Sequence, residues 1–177
     1  MSTIYLDMDG VIADFFSALE DLHGVDHWKS IKDKHTLISS IAYTDFFYHI
    51  KPFETTFDLI KNVKELSGGD WGICSSPLEG DYNNSAYWKR RWLEKYDIMP
   101  STDKLIFTRN KHKYAWSTLT GKRNILVDDK PSNIKRWKDA GGVGIRYQAN
   151  EDDLNEYLLF RLDKEVEVIR RSIGHGA

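Results

Sequence analysis

The segment Ile4-Tyr5-Leu6-Asp7-Met8-Asp9-Gly10-Val11 constrains this chain more than any other. It reads as a short apolar strand that ends in two carboxylates and a glycine. Alternation along a strand sets Asp7 and Asp9 on one side, one residue apart. Carboxylates held that close repel, and a divalent cation such as Mg2+ relieves the repulsion by taking carboxylate, carbonyl and water oxygens. Gly10 lets the backbone turn sharply and present its N–H groups to an anion. On its own such a pair is equally well a strand-end turn. Its weight comes from its setting, because ligands of open α/β sheets bind at the carboxyl ends of strands.

The rest of the chain supplies further strands with polar ends. Trp71-Gly72-Ile73-Cys74 runs into Ser75-Ser76-Pro77, Lys104–Thr108 into Arg109-Asn110-Lys111, and Asn124–Val127 into Asp128-Asp129. A fifth strand, Val143–Arg146, lacks such an ending in this reading. Helical periodicity separates them. Phe15, Ala18, Leu19 and Leu22 mark a first helix stopped by Gly24. Residues 24 to 50 are aromatic-rich and read, with that helix, as a small helical insertion. Thr55 or Thr56 caps a helix to Leu66, with Phe57, Ile60, Val63 and Leu66 on its apolar face. Further helices are expected at 85–96, 131–140 and 151–171, the last with a stripe of Leu154, Leu158, Leu162, Val166 and Ile169. That last helix either packs on the sheet or makes a homodimer contact. The tail Gly174-His175-Gly176-Ala177 is expected to be disordered.

Strands alternating with helices predict an α/β fold: a Rossmann-like three-layer sandwich with a mostly parallel five-stranded sheet. The expected core is 1–13 with 52–177, and 14–51 forms a small helical cap inserted after the first strand. At 177 residues with a net charge of −2, the chain has no global basic field, which disfavours long nucleic acid as a partner. The single cysteine, Cys74, excludes an internal disulfide and reads as a buried thiol. No apolar run reaches the roughly 18 residues of a membrane span. The acidic motif starts at residue 7, which leaves no room for a signal peptide. The expected location is cytoplasmic, with no membrane partner.

Gathered at one sheet edge, these strand ends amount to a metal-assisted phosphate site. Hydrolysis of a phosphate monoester is very slow without catalysis. A carboxylate nucleophile splits the step in two through an acyl phosphate. Asp7 is the candidate nucleophile, and Asp9 the acid and base. Asp129 completes a metal set beside Asp128, while Lys111 offsets the dianion and Ser75 with backbone N–H groups holds phosphate oxygens. Each part alone has a plainer reading. Ser75-Ser76-Pro77 is a common turn, Arg109, Lys111 and Lys113 a solvated run, and Asp128-Asp129 a helix cap. Order and strand-end placement carry the argument.

The same order of motifs resembles the haloacid dehalogenase (HAD) superfamily of phosphotransferases, and within it the 5′(3′)-deoxyribonucleotidases. The resemblance rests on Asp7-Met8-Asp9-Gly10-Val11-Ile12-Ala13-Asp14-Phe15, on Phe46-Phe47 with Pro52, on Ile73–Pro77, on Thr108–Lys111 and on Val127–Pro131. Ser75 stands where that family usually has threonine. The resemblance implies a Mg2+ cofactor and Asp7 as phosphorylated nucleophile and metal ligand. It makes Asp9 the acid/base with its carbonyl on the metal, and Asp129 the direct carboxylate ligand. Ser75 and Lys111 would hold phosphate, with Ser76, Arg109 and Gly10 nearby. Phe15 and Phe46 or Phe47 would line the base pocket, the alternative being that they form the core of the cap. The expected function is hydrolysis of (deoxy)nucleoside monophosphates. The alternatives are another phosphomonoester, such as a sugar phosphate or a nucleic-acid 3′-phosphate end, and a non-catalytic binding module. Lys89-Arg90-Arg91 would suit a basic groove for such an end, but reads better as a solvated helix face. The segment between Lys111 and Asp128 is longer than the family pattern suggests.

Overall fold

A computed structural model describes residues 2–31 and 33–174; the expected disorder of the tail from His175 to Ala177 lies outside the described residues. Five strands form one parallel sheet: β1 (Ile4–Leu6), β2 (Trp71–Ser75), β3 (Leu105–Phe107), β6 (Ile125–Asp128) and β7 (Val143–Arg146), in the order β3-β2-β1-β6-β7. The chain therefore builds outward from β1 on one side, then returns to build on the other. The crevice where direction reverses lies between β1 and β6. Leu6 pairs with both Ile73 and Val127, and the Asp7 N–H donates to the Val127 carbonyl at 2.9 Å. Asp7 and Asp128 thus leave the sheet side by side.

Strand alternation sorts the core into two faces. Ile4, Leu6, Ile73, Ile125, Val127 and Ile145 join one apolar cluster, shared with α4 (Thr56–Ser67) and α7 (Phe160–Gly174). Tyr5, Cys74, Ile106 and Leu126 face the other way, under Ile134 and Trp137 of α6 (Pro131–Asp139). Both faces being covered, β1 and β2 are buried throughout and apolar up to the polar end at Ser75, rather than alternating, as in other parallel sheets. Burial pushes the Cys74 thiol up to about 12, which fits an inert core group.

Between β1 and α4 lie α1 (Phe15–His23), a 3-10 turn at Trp28–Ser30, α2 (Lys34–Ile41) and the short α3 (Phe46–His49). Asp14 caps α1 by accepting from the Ser17 N–H, and Gly24 ends it in the left-handed region. α3 packs on α5 (Tyr82–Lys95): the Trp92 indole N–H donates to the Ile50 carbonyl, and Tyr48 meets Trp88 at 5.6 Å between ring centres.

Some expectations are corrected. α5 begins three residues early because Asp81, itself buried, organises the turn; it accepts from the Asn84 amide and from the Tyr43 N–H. Phe57 is exposed against Tyr96, and Leu59 takes its expected place inside α4. The long stretch before β6 holds a 3-10 turn at Lys111–Tyr114 and a small antiparallel pair, β4 (Trp116–Ser117) with β5 (Lys122–Arg123). The expected helix at 151–171 starts as π-helix over Leu154–Leu159 before α7; Leu154, Leu158 and Leu162 are buried, and the helix packs against α4 and β7. Among the described residues no helix is long and apolar enough to cross a membrane.

Candidate active site

Four carboxylates and two buried ammonium groups meet at the carboxyl edge of the sheet. Lys111, 2% exposed, reaches in from beyond β3 and pairs with Asp7 Oδ1 at 2.8 Å and Asp128 Oδ2 at 2.6 Å. Burial alone would lower its pKa. The Asp7 and Asp128 carboxylates outweigh that and hold it above the usual lysine range. Asp128 is fully buried and further engaged by the Lys130 N–H and the Asn133 amide. It works as an anchor. Asp129 is only partly buried and lines the open cleft together with Asp7 and Asp9.

The second ammonium is Lys89, which the sequence placed on a solvated face. It is 1% exposed and its Nζ donates to Asp9 Oδ2 at 2.6 Å, to Ser75 Oγ at 3.0 Å and to the Ser76 carbonyl at 2.9 Å. It also sits 4.7 Å from the centre of the Phe47 ring. Its neighbours Arg90 and Arg91 do behave as surface residues and pair with Glu94. The signal that could have separated them is helical phase: Ser85, Lys89, Trp92 and Leu93 share the buried face of α5. Burial raises the Asp9 pKa, Lys89 pulls it down and Asp7 pushes it up; the balance is a raised value. Asp9 Oδ1 has no hydrogen-bond partner among the described residues.

The serines separate. Ser75 is fully buried and its hydroxyl accepts from Lys89, whereas Ser76 lines the cleft. Gly10 turns with φ +82°, and a Cβ there would lie 2.6 Å from Asp129 Oδ2, so only glycine fits beside that carboxylate. Arg109 is exposed on the rim, 3.4 Å from Glu79. Phe15 lines both branches of the cleft and stacks on Phe47 with 6.1 Å between centres. Phe47 shares one branch. Phe46 meets Phe15 edge-on but lines a separate outer groove with His49 and Lys51, so it is not a cleft residue. Two further aromatics were not anticipated there: Phe16 and Trp28, stacked at 5.5 Å. The fifth strand contributes after all, since Arg146 and Gln148 reach the rim.

Ligand atoms of Asp7, Asp128 and Asp129 lie within 4.8 Å of one another. Four carboxylates against two ammonium groups leave an excess of two negative charges, which a divalent cation matches. Asp129 registers the imbalance. Burial and the Asp7, Asp128 and Asp9 charges raise its pKa from 3.8 to about 8. Between those values the folded metal-free protein holds a proton that the unfolded chain has released, so stability falls as pH rises through that window. The melting temperature of EDTA-treated protein should therefore be lower at about pH 8.5 than at about pH 5, and added Mg2+ should raise it more at the higher pH. A Mg2+ increment independent of pH would remove Asp129 as the responsible group.

The chain is 28% identical over 153 aligned positions to the mitochondrial 5′(3′)-deoxyribonucleotidase of Mus musculus, covering 72% of this chain and 64% of that one. It thus spans less than two thirds of that relative. The human mitochondrial counterpart is also 28% identical, with 62% of its length covered. Among solved structures, a hydrolase from Streptococcus pneumoniae TIGR4 superposes with a TM-score of 0.50 at 16% identity, over 83% of this chain and 92% of that one. No family model matches the chain.

Proposed function

We propose that this chain, which resembles the 5′(3′)-deoxyribonucleotidases and has the α/β fold of the HAD-like hydrolases, is a Mg2+-dependent phosphatase of (deoxy)nucleoside monophosphates. The observation that carries the reading is the pairing of two carboxylates of different character on one strand end. Asp7 is held by Lys111; Asp9 is held by Lys89, with a raised pKa and a free Oδ1.

In this reading Asp7 attacks phosphorus in line and forms an aspartyl phosphate, while the departing nucleoside oxygen takes a proton from Asp9. A raised pKa suits that donor at neutral pH. Asp9 then takes a proton from the water that hydrolyses the intermediate. Lys111 aims Asp7 and adds positive charge beside the phosphate. Lys89 fixes Asp9 and braces the Ser75-Ser76 turn, whose backbone with Gly10 faces the phosphate oxygens. Asp7, Asp129 and the Asp9 carbonyl would hold Mg2+, with Asp128 as their anchor; bound there, the cation supplies charge against the phosphate dianion. Residues 14–51 act as a small cap over a core of 1–13 and 52–177, and Phe15 with Phe47 meets the base.

Mg2+-dependent phosphate release from 5′- and 3′-(deoxy)nucleoside monophosphates, sugar phosphates and a 3′-phosphorylated oligonucleotide tests the proposal. Preference for the monophosphates is expected. Preference for a sugar phosphate keeps the chemistry and discards the substrate. Base stacking on an aromatic face is worth ~1–3 kcal/mol. Phe15→Ala should accordingly raise KM for nucleotides by about tenfold and leave a small aryl phosphate nearly unaffected. Equal effects on both would make Phe15 a packing residue only.

A further inference from the structure

Both branches of the cleft, about 610 and about 470 Å³, are lined by Asp9, Phe15, Lys34, Ser76, Lys130 and Asn133. These six therefore surround the reacting centre whichever way the rest of a substrate extends. Two of them are cations. Lys34 is taken by Glu79 at 2.7 Å, whereas Lys130 has no ion pair among the described residues. Two other cations of the cleft also lack a carboxylate, but each lines a single branch: Lys29 lies over the Trp28 ring at 5.7 Å, and Arg136 leans on the neutral Asn110 Oδ1 at 3.4 Å. The backbone fixes Lys130 in its place. Its N–H donates to Asp128 Oδ1 at 2.9 Å, and Pro131 then opens α6, with the Asn133 N–H donating back to the Lys130 carbonyl at 3.0 Å. The buried carboxylate that pairs with Lys111 thus also holds the root of Lys130.

The charge of the site gives that position a task. Lys111 is matched by Asp7 and Asp128, Lys89 is matched by Asp9, and a divalent cation would balance the two carboxylate charges left over. A phosphate dianion brought to a balanced centre needs further positive charge. We propose that Lys130 is the residue that grips the substrate's phosphoryl group from the cleft side, an assignment that rests on the phosphatase reading above. Its exposed ammonium can pair with a phosphate oxygen without giving up a carboxylate, which neither buried ammonium can do. Lysine suits the task as a compact charge on a flexible stem, able to follow the phosphoryl group as it moves onto Asp7. Lys130 meets the phosphoryl group and not the leaving group. Its contribution is therefore the same for a nucleotide and for a small aryl phosphate, in contrast to that of Phe15.

The test measures KM, kcat and the inhibition constant of inorganic phosphate, with Mg2+ present, in the intact protein, in Lys130→Gln and Lys130→Arg, and in the single-branch controls Lys29→Gln and Arg136→Gln. All three side chains are exposed, so the variants are expected to fold, and circular dichroism checks this. Loss of a charged hydrogen bond predicts that Lys130→Gln raises KM for a nucleoside monophosphate and for a small aryl phosphate by the same factor, about tenfold or more. The inhibition constant of inorganic phosphate should rise with them and kcat should change little. Lys130→Arg should restore the affinities, and the two controls should leave them close to those of the intact protein. Constants unchanged in Lys130→Gln overturn the assignment and leave the phosphatase standing. An equal rise in the two controls also overturns it, since the cleft then acts as a diffuse field. So does a fall in kcat with KM and the inhibition constant unchanged. Turnover of neither substrate by the intact protein overturns the phosphatase reading, and this assignment with it.

Discussion

Asp7→Asn should lower phosphate release by about 10⁴-fold or more while the protein keeps its fold. The amide has the size of the carboxylate but cannot form the acyl phosphate. Lys111 retains Asp128 as its partner, so no buried ammonium is orphaned. The substitution also removes one of the two excess negative charges at the sheet edge. The metal-free variant should therefore melt at or above the temperature of the parent protein at neutral pH. Activity lost with unchanged or raised stability identifies a nucleophile. Activity retained within tenfold would remove Asp7 from that role.

Lys111→Met should damage both activity and stability. The side chain is 2% exposed and pairs with two carboxylates that are themselves nearly buried. Removing one member of a buried ion pair costs roughly 3–5 kcal/mol, because the partners stay behind without compensation. Here Asp7 and Asp128 are left facing each other. Burial and the Asp7 charge already raise the Asp128 pKa and Lys111 opposes them, so without Lys111 it rises further; ionised Asp128 then destabilises the fold, and the cost is relieved as it protonates. The deficit read by urea denaturation should be largest near pH 7 and shrink towards pH 5. Turnover should fall with it, since Asp7 loses the ion pair that aims it. A stability loss below 1 kcal/mol at pH 7 would show that the cluster is far more hydrated than its burial implies.

Much of this arrangement is legible in the chain because parallel sheets advertise themselves. Buried strands are short apolar runs, and their carboxyl ends are where the polar residues cluster. Asp7, Asp9, Lys111, Asp128 and Asp129 could be read that way. Lys89 could not, because it lies inside a helix among Arg90 and Arg91, and a lysine seldom occupies a buried face unless carboxylates wait for it there. Its carboxylate partner, Asp9, lies 80 residues away in the chain, which no local pattern reports. The division between Ser75 and Ser76 was hidden for a related reason: adjacent strand residues point opposite ways, and only the sheet decides which is inward. Phe46 and Phe47 illustrate the same difficulty on a four-residue helix, where one turn cannot establish a stripe. Phe16 and Trp28 stack on each other in the cleft, a contact between α1 and the turn that follows it, which no single helical period reports.

The helix α5 has two loads. Its Trp88 and Trp92 hold the α3 end of the insertion, through Tyr48 and the Ile50 carbonyl. Its Lys89 holds the Asp9 carboxylate, the proposed proton donor. A single rigid spine thus sets the angle of the insertion and the aim of Asp9 together. Drift in substrate range through α3 would tilt the spine and misdirect the proposed proton transfer, whereas Trp28 and Lys34 are tied to Phe16, Glu20 and the exposed Glu79, and among the described residues not to α5. Divergence among chains of this design should accumulate around Trp28 and Lys34, where a new substrate can be accommodated without retuning the chemistry.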